Sequence, residues 1–189
     1  MQPTELVKHA GVLWQHKREF ARFLEFLESQ GVKSVLEIGT GMGGSAWCFG
    51  CITDNGRVVT VDDGSVVKAE QRRAQSNPNF VQVFGRADTL ETEMLVASYG
   101  PFDLVYFDGE HDYESTVAHH QRYVKYANRF VAQHDINLDE EGWSKREPQL
   151  AGIVKGWREL TAGKIVWDFI SPDPDPRFPR WGGIGVFAV

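Results

Sequence analysis

The sequence predicts an α/β fold on a mostly parallel sheet, and two observations carry that prediction. Apolar runs of strand length alternate with helical patterns from residue 32 onward, which implies parallel strands covered on both faces. The last two strands, 164–170 and 183–189, meet through SPDPDPRFPRWGG rather than a helix, so the final strand is free to run antiparallel.

The elements follow in order. The opening stretch PTELVKHAGVLWQHKREFARFLEFLESQG reads as helical, with Phe20, Phe23, Leu24 and Leu27 as its apolar stripe and Gly31 placed to end it. VKSVLEIG (32–39) is a buried strand, and GMGGSAWCFGCI a turn running into a helix. RVVTVDD (57–63) is the second strand, with acids at its C-terminal end, and a polar helix is expected over 66–76. NFVQVFG (79–85) is the third strand, followed by a helix over 88–98. FDLVYFDG (102–109) is the fourth, a helix spans 113–127, and RFVAQHDI (129–136) is the fifth. A polar loop over 137–145 leads to a helix with Pro148 in its first turn. The proline-rich connection before the last strand reads as a semi-rigid flap.

The 189 residues suit a single domain, 1–189, with 1–31 as an N-terminal helical segment. A chain of this length buries roughly 70% of its unfolded surface and needs no disulfide to hold a core. No apolar run reaches membrane-spanning length and no signal-peptide pattern opens the chain, so a cytoplasmic location without membrane association is expected. The net charge of −6 argues against general nucleic-acid binding, which depends on neutralising phosphates. Cys48 and Cys51 in CFGC lack the further ligands of a zinc site and read as packed thiols in a reducing compartment.

Open parallel sheets bind ligands beyond the C-terminal ends of their strands, and each dense polar cluster falls at such an end. In EIGTGMGG, Gly39 suits a tight turn beside Thr40, Gly41 lets the backbone approach a ligand, and Gly43 and Gly44 allow close contact where a helix begins. Asp62 follows Gly39 by 23 residues, the spacing of an acid that accepts from ribose hydroxyls. Asp63, next along the strand, faces the other way and reads as structural. The glycines alone do not separate NAD from another nucleoside cofactor. The mononucleotide-binding halves are short, the sheet closes with a loop-linked strand pair, and neither a YxxxK pattern nor a second glycine fingerprint is there to serve hydride chemistry.

VLEIGTGMGG with Glu37 before its glycines, the second-strand acid of VVTVDD, and FDLVYFDGEHDYE followed by FVAQHDI resemble the class I S-adenosylmethionine-dependent methyltransferases. Within that family they are similar to the small-molecule and sugar O-methyltransferases, many of them magnesium-dependent. The resemblance spans about residues 32–189. It implies a Rossmann-like three-layer sandwich with a seven-stranded sheet ordered 3-2-1-4-5-7-6 and strand 7 antiparallel. It also implies S-adenosylmethionine (SAM) bound by Glu37, Gly39, Thr40, Gly41, Gly43 and Asp62, with Asp88 of GRADTL at the adenine amine and Asp108 at the reacting end.

An alcohol is a poor methyl acceptor unless its proton is removed or its oxygen polarised. Asp108 ends the fourth strand and Asp135 the fifth, with His134 beside it. The resemblance implies a divalent ion, Mg²⁺ or Mn²⁺, on Asp108 and Asp135, with Asp108 as ligand or substrate positioner. That branch usually carries a second acid or amide next to the fifth-strand acid, where this chain has His134 and Ile136. The expected metal set is therefore Asp108, His134 and Asp135, and its imidazole suits Mn²⁺ better than Mg²⁺. His111 in DGEHDY supplies the other chemistry: a near-neutral imidazole, oriented by Glu110 or Asp112, deprotonating an N, O or S acceptor without metal. A third reading is a non-catalytic nucleoside-binding module, which would keep the glycine turn and Asp62 and lack a productive acid cluster.

Tyr113 reads as packing, and His119 and His120, placed on an outer helix face, as surface or helix-packing residues. Trp14, Trp143 and Trp181 are available to stack on a substrate ring, and Arg177 and Arg180 to meet an anionic group. No large insertion shapes a deep pocket, which favours a small-molecule substrate or a pocket completed in a homo-oligomer.

Overall fold

Seven strands form one sheet: β1 (Ser34–Ile38), β2 (Arg57–Asp62), β3 (Phe80–Phe84), β4 (Phe102–Phe107), β5 (Ala127–Leu138), β6 (Val166–Phe169) and β7 (Trp181–Ala188). Their order is β3-β2-β1-β4-β5-β7-β6, the expected Rossmann-like arrangement. Every pairing from β3 through β5 is parallel, and β7 runs antiparallel to both β5 and β6. The computed structural model describes residues 1–54, 56–65, 77–138, 151–173 and 181–189. The helix expected over 66–76, Trp143, Pro148, Arg177, Arg180 and the side chain of Trp181 lie outside the described set.

Helices cover both faces: α1 (Pro3–His9), α2 (Lys17–Ser29), α3 (Gly44–Ile52), α4 (Leu90–Ala97), α5 (Tyr113–Tyr123) and α6 (Ala151–Leu160). The period-two alternation of β4 assigns its residues to the two sides. Leu104 and Tyr106 join α1, α2 and α3 in one core, whereas Val105 and Phe107 join Val96, Tyr123 and Trp157 of α4, α5 and α6 in the other. The α2 stripe of Phe20, Phe23, Leu24 and Leu27 is fully buried, and Phe20, Phe23, Phe49 and Tyr106 form a ring cluster. Burial of each such side chain contributes about 1.5–3 kcal/mol relative to exposure. No helix among the described residues is long and apolar enough to cross a membrane.

The N-terminal segment differs from its sequence reading. It forms two helices, because Gly11 takes a left-handed conformation (φ 76°) just after Ala10 closes α1. The connection over 10–16 then passes across the start of α3, where a Cβ on Gly44 would overlap the carbonyl oxygen of Val12. The helix expected over 113–127 ends at Tyr123, and one 3₁₀ turn leads into β5, which is longer than expected at 12 residues.

Candidate active site

Strand ends and the 10–16 connection enclose a cavity of about 640 Å³. On the β1–β2 side its wall is largely backbone. Gly39 has φ 98°, and a Cβ there would stand 2.7 Å from Gly109 Cα, so only glycine lets the turn lie against the end of β4. Gly41 faces open space, as its expected approach to a ligand requires. Gly43 caps α3 in a left-handed conformation, and Gly43, Gly44 and Ser45 bring the positive end of that helix to the cavity. Asp62 accepts from Gly41 N at 3.0 Å and from Gly64 N at 2.8 Å, which ties the glycine turn to the end of β2.

Thr40, Asp62 and Asp88 all line the cavity, and Thr40 Oγ1 is buried with no hydrogen-bond partner among the described residues. Asp88 is gripped by Arg86, whose Nε and guanidinium NH₂ lie 3.1 and 2.8 Å from its two oxygens. That hydrogen bond holds the Asp88 carboxyl below its usual range. Two placements depart from the sequence reading. Asp63 also lines the cavity, despite its structural assignment. Glu37, expected at the cofactor, is fully buried beneath the turn, accepts from Ser45 Oγ and is absent from the cavity wall. Burial pushes its carboxyl well above the usual range; the Ser45 bond opposes that shift, and Asp108 and Asp62 add to it.

The other side of the cavity is made of side chains. His134 Nδ1 sits 2.9 Å from Asp108 Oδ1 and 3.1 Å from Asp135 Oδ1, and His111 Nε2 lies 3.3 Å from Asp135 Oδ2. Gln15, from the α1–α2 connection, donates to Asp108 Oδ2, and Tyr106 Oη lies 3.3 Å from the same oxygen. Consecutive residues on a regular strand face opposite ways, yet His134 and Asp135 both line this cavity. The register of β5 against β7 shifts between His134 and Asn137, and Asp135 takes φ 62°. This bulge turns Asp135 toward the site, at a cost of about 1–2 kcal/mol for the left-handed backbone.

Ligand atoms of Asp108, His111 and Asp135 all lie within 4.8 Å of one another. The sequence places His134 in the metal set and makes His111 a metal-free base oriented by Glu110 or Asp112. Here His134 is instead the bridge between the two carboxylates, and His111 joins them. The acid beside His111 is Asp135, in place of Glu110 or Asp112; Asp112 caps α5 by accepting from Ser115 N at 2.8 Å.

Burial alone would push both histidines down, but the carboxylates outweigh it. His134 is held well above the usual imidazole range by Asp135 and Asp108, and His111 is raised by its bond to Asp135 and the charge of Asp108. Burial likewise works to raise Asp135, and the two histidines overcome it and lower the group. The cluster is largely buried, its imidazoles shifted toward the charged form and Asp135 toward the carboxylate, and among the described residues His134 Nε2 has no hydrogen-bond partner.

Helix α5 gives a second correction. His119 and His120 are 5% and 2% exposed instead of lying on an outer face, and His119 lines the cavity. The apolar period of YESTVAHHQRY is too weak to orient the helix, so only its packing under α6 reveals the buried side. Tyr113 packs as expected, bonding Glu159 at 2.6 Å with Lys155 over its ring. Trp14, expected to be available to a substrate ring, is 58% exposed and stands at the cavity wall, and Val12, Gln15 and His16, which no sequence signal singled out, line it alongside. Cys48 is buried and Cys51 exposed, and no disulfide among the described residues joins either.

Comparison with known proteins places this geometry. The family described as a methyltransferase domain matches residues 36–134, more than half of the chain, from β1 through Asp108 to His134. No curated protein matches the sequence. Among solved structures, an O-methyltransferase from Bacillus cereus in complex with S-adenosylhomocysteine (SAH) is similar at 19% identity and a TM-score of 0.70, covering 99% of this chain and 89% of its own. The O-methyltransferase TomG of Streptomyces achromogenes, in complex with SAM, aligns at 17% identity and 0.71 over 100% and 90%. The MycE methyltransferase of mycinamycin biosynthesis, in complex with Mg, SAH and mycinamycin VI, aligns at 16% identity and 0.64 over 99% and 54%. At these identities the likeness shows the fold. The family match covers more than half of the chain, and the sheet order agrees with it: the chain belongs to the methyltransferase-domain family and is a SAM-dependent methyltransferase.

Proposed function

We propose that this enzyme methylates a hydroxyl of a small molecule, with a divalent ion held by Asp108 and Asp135. The observation that carries the reading is the convergence of Asp108, His111 and Asp135 on one point of the cavity that the glycine turn also lines. Two carboxylates and an imidazole are a donor set for a divalent ion, and the imidazole favours Mn²⁺ over Mg²⁺. A bound ion would lower the pKa of the acceptor hydroxyl. The similar structures named above add support, since two are O-methyltransferases and the third was solved with magnesium and a small-molecule acceptor.

The protein's own groups divide the remaining work. The glycine turn and Asp62 hold the nucleoside end of SAM, the source of the methyl group, and Asp88 stands at the adenine. Asp108, fixed by Gln15, Tyr106 and His134, sets the acceptor oxygen in line, the step on which the rate depends most. His111 would complete the donor set when the ion is bound, and without the ion it is the group left to take the hydroxyl proton. A cavity of about 640 Å³, within the roughly 300–1,000 Å³ usual for small-molecule sites, suits a small acceptor, and Trp14 offers it a ring face. Cys48 and Cys51, joined by no disulfide among the described residues, agree with a reducing, cytoplasmic setting.

A second reading, metal-independent transfer with His111 as sole base, draws on the 3.3 Å contact between His111 and Asp135. A panel of catechols, phenols and sugars assayed with SAM in chelator, then with Mn²⁺ or Mg²⁺ restored, tests the choice. Activity lost on chelation and recovered with Mn²⁺ is expected. Full activity in chelator that disappears in His111→Ala would establish the second reading instead.

A further inference from the structure

Behind the carboxylate pair lies a buried polar chain with no part in the chemistry described so far. His120 stacks on Phe107, with centroids 4.0 Å apart and planes at 19°, and Trp157 meets it edge-on. Its Nε2 is 3.0 Å from Gln133 Oε1. The Gln133 amide nitrogen faces the carbonyl oxygens of His134 at 2.9 Å and Phe107 at 3.3 Å. Carbonyls only accept, so the NH₂ of Gln133 must point to them and its oxygen to His120. That oxygen needs a donor, which assigns the Nε2–H tautomer to His120. Burial pushes the His120 imidazole down to about 4, so the ring is neutral at working pH.

The two carbonyls have a particular place in the chain. Phe107 immediately precedes Asp108 at the end of β4, and His134 immediately precedes Asp135 in the β5 bulge. One amide therefore ties together the two peptide groups that lead into the two carboxylates. The bond to His134 O also holds the peptide whose rotation gives Asp135 its positive φ.

We propose that Gln133, kept in one amide orientation by His120, is a positioning residue that sets the spacing of the Asp108 and Asp135 carboxylates. The inference rests on the reading of those carboxylates as the reacting site. It adds two residues, from a helix and a strand face outside the cavity wall, that act on the chemistry only through the backbone.

The full chain is tested as Gln133→Leu, His120→Leu and His120→Gln, the last retaining a donor near the Nε2 position. Three readouts separate positioning from simple core filling: Mn²⁺ affinity by EPR, SAH affinity by calorimetry, and the histidine ring signals in ¹⁵N NMR without metal. Wild-type His120 is expected as the neutral Nε2–H form at pH 7. In Gln133→Leu and His120→Leu, the His134 ring signal shifts and Mn²⁺ binds about tenfold more weakly, as outer-shell losses do. SAH affinity stays within about twofold, and His120→Gln recovers most of the Mn²⁺ affinity. Lower melting temperatures with Mn²⁺ affinity and the His134 signal unchanged would overturn the proposal. If the wild type binds no Mn²⁺, the metal reading fails by itself; the relay then stands or falls on whether the His134 signal moves in both leucine variants. The His120 pair decides the matter if Gln133→Leu does not fold.

Discussion

The two halves of the cavity are built in opposite ways. The cofactor half is mostly backbone from one short stretch: three positive-φ glycines, a helix start and a strand-end acid that bonds the turn. The chemical half is side chains from four separate places: Gln15, Asp108, His111, and the His134–Asp135 bulge. Backbone recognition tolerates little change of conformation but is insensitive to neighbouring charge. Side-chain recognition depends on a balance of charges, so its state moves with pH and with whatever ion is bound.

The largest test of this contrast lies where the halves touch. A Cβ at Gly39 would overlap the Asp108 carbonyl and force a positive φ on a residue that resists it. Gly39→Ala is expected to cost about 3 kcal/mol, a fall in Tm on the order of 10 °C, and to disturb both halves at once. A melting curve that overlays the wild type would show that the two halves are not packed as described.

A smaller and one-sided effect is expected at Asp62. Asp62→Ala removes the bonds from Gly41 and Gly64 and the acceptor proposed for ribose hydroxyls, with the fold expected to be retained. SAH should bind about tenfold or more weakly, in line with roughly 1.5–3 kcal/mol for a charge-assisted bond. Calorimetry giving an unchanged affinity would refute the ribose role.

The smallest effect separates the halves by pH. His134 and His111 have folded values raised above their ordinary 6.5, so the stability they contribute is complete below about pH 6.5. It is lost as pH rises through the raised values. His120 has the opposite sign: with a folded value of about 4, its contribution fades as pH falls from 6.5 toward 4. Denaturation of the metal-free protein should therefore show a maximum near pH 6.5 and a decline above it that His134→Asn flattens. Stability that rises steadily to pH 9 would contradict the charged cluster.

Much of this molecule was legible in its residues. Strand-length apolar runs, the loop joining the last two strands, and the Gly39–Gly44 turn with Asp62 are local signals, set by period, sterics and short-range spacing. Asp108 and Asp135 were legible as strand ends. What stayed hidden is non-local. Gly11 was available as a break in the first helix, but its purpose, bringing Gln15 and Trp14 to the cavity, depends on α3 beneath it. The bulge that turns Asp135 beside His134 exists only because β7 pairs with β5 out of simple register. The buried side of α5 depends on α6.

Sequence alone therefore determined the layered sheet, the glycine turn and the placing of Asp108 and Asp135 at strand ends, because each follows from the conformational limits of a few neighbouring residues. Tertiary structure alone decided which histidine bridges the carboxylates and which joins them, and that Glu37 lies beneath the site. Those outcomes depend on distances of a few ångströms between segments far apart in the chain, and on burial that makes the resulting charges interact strongly.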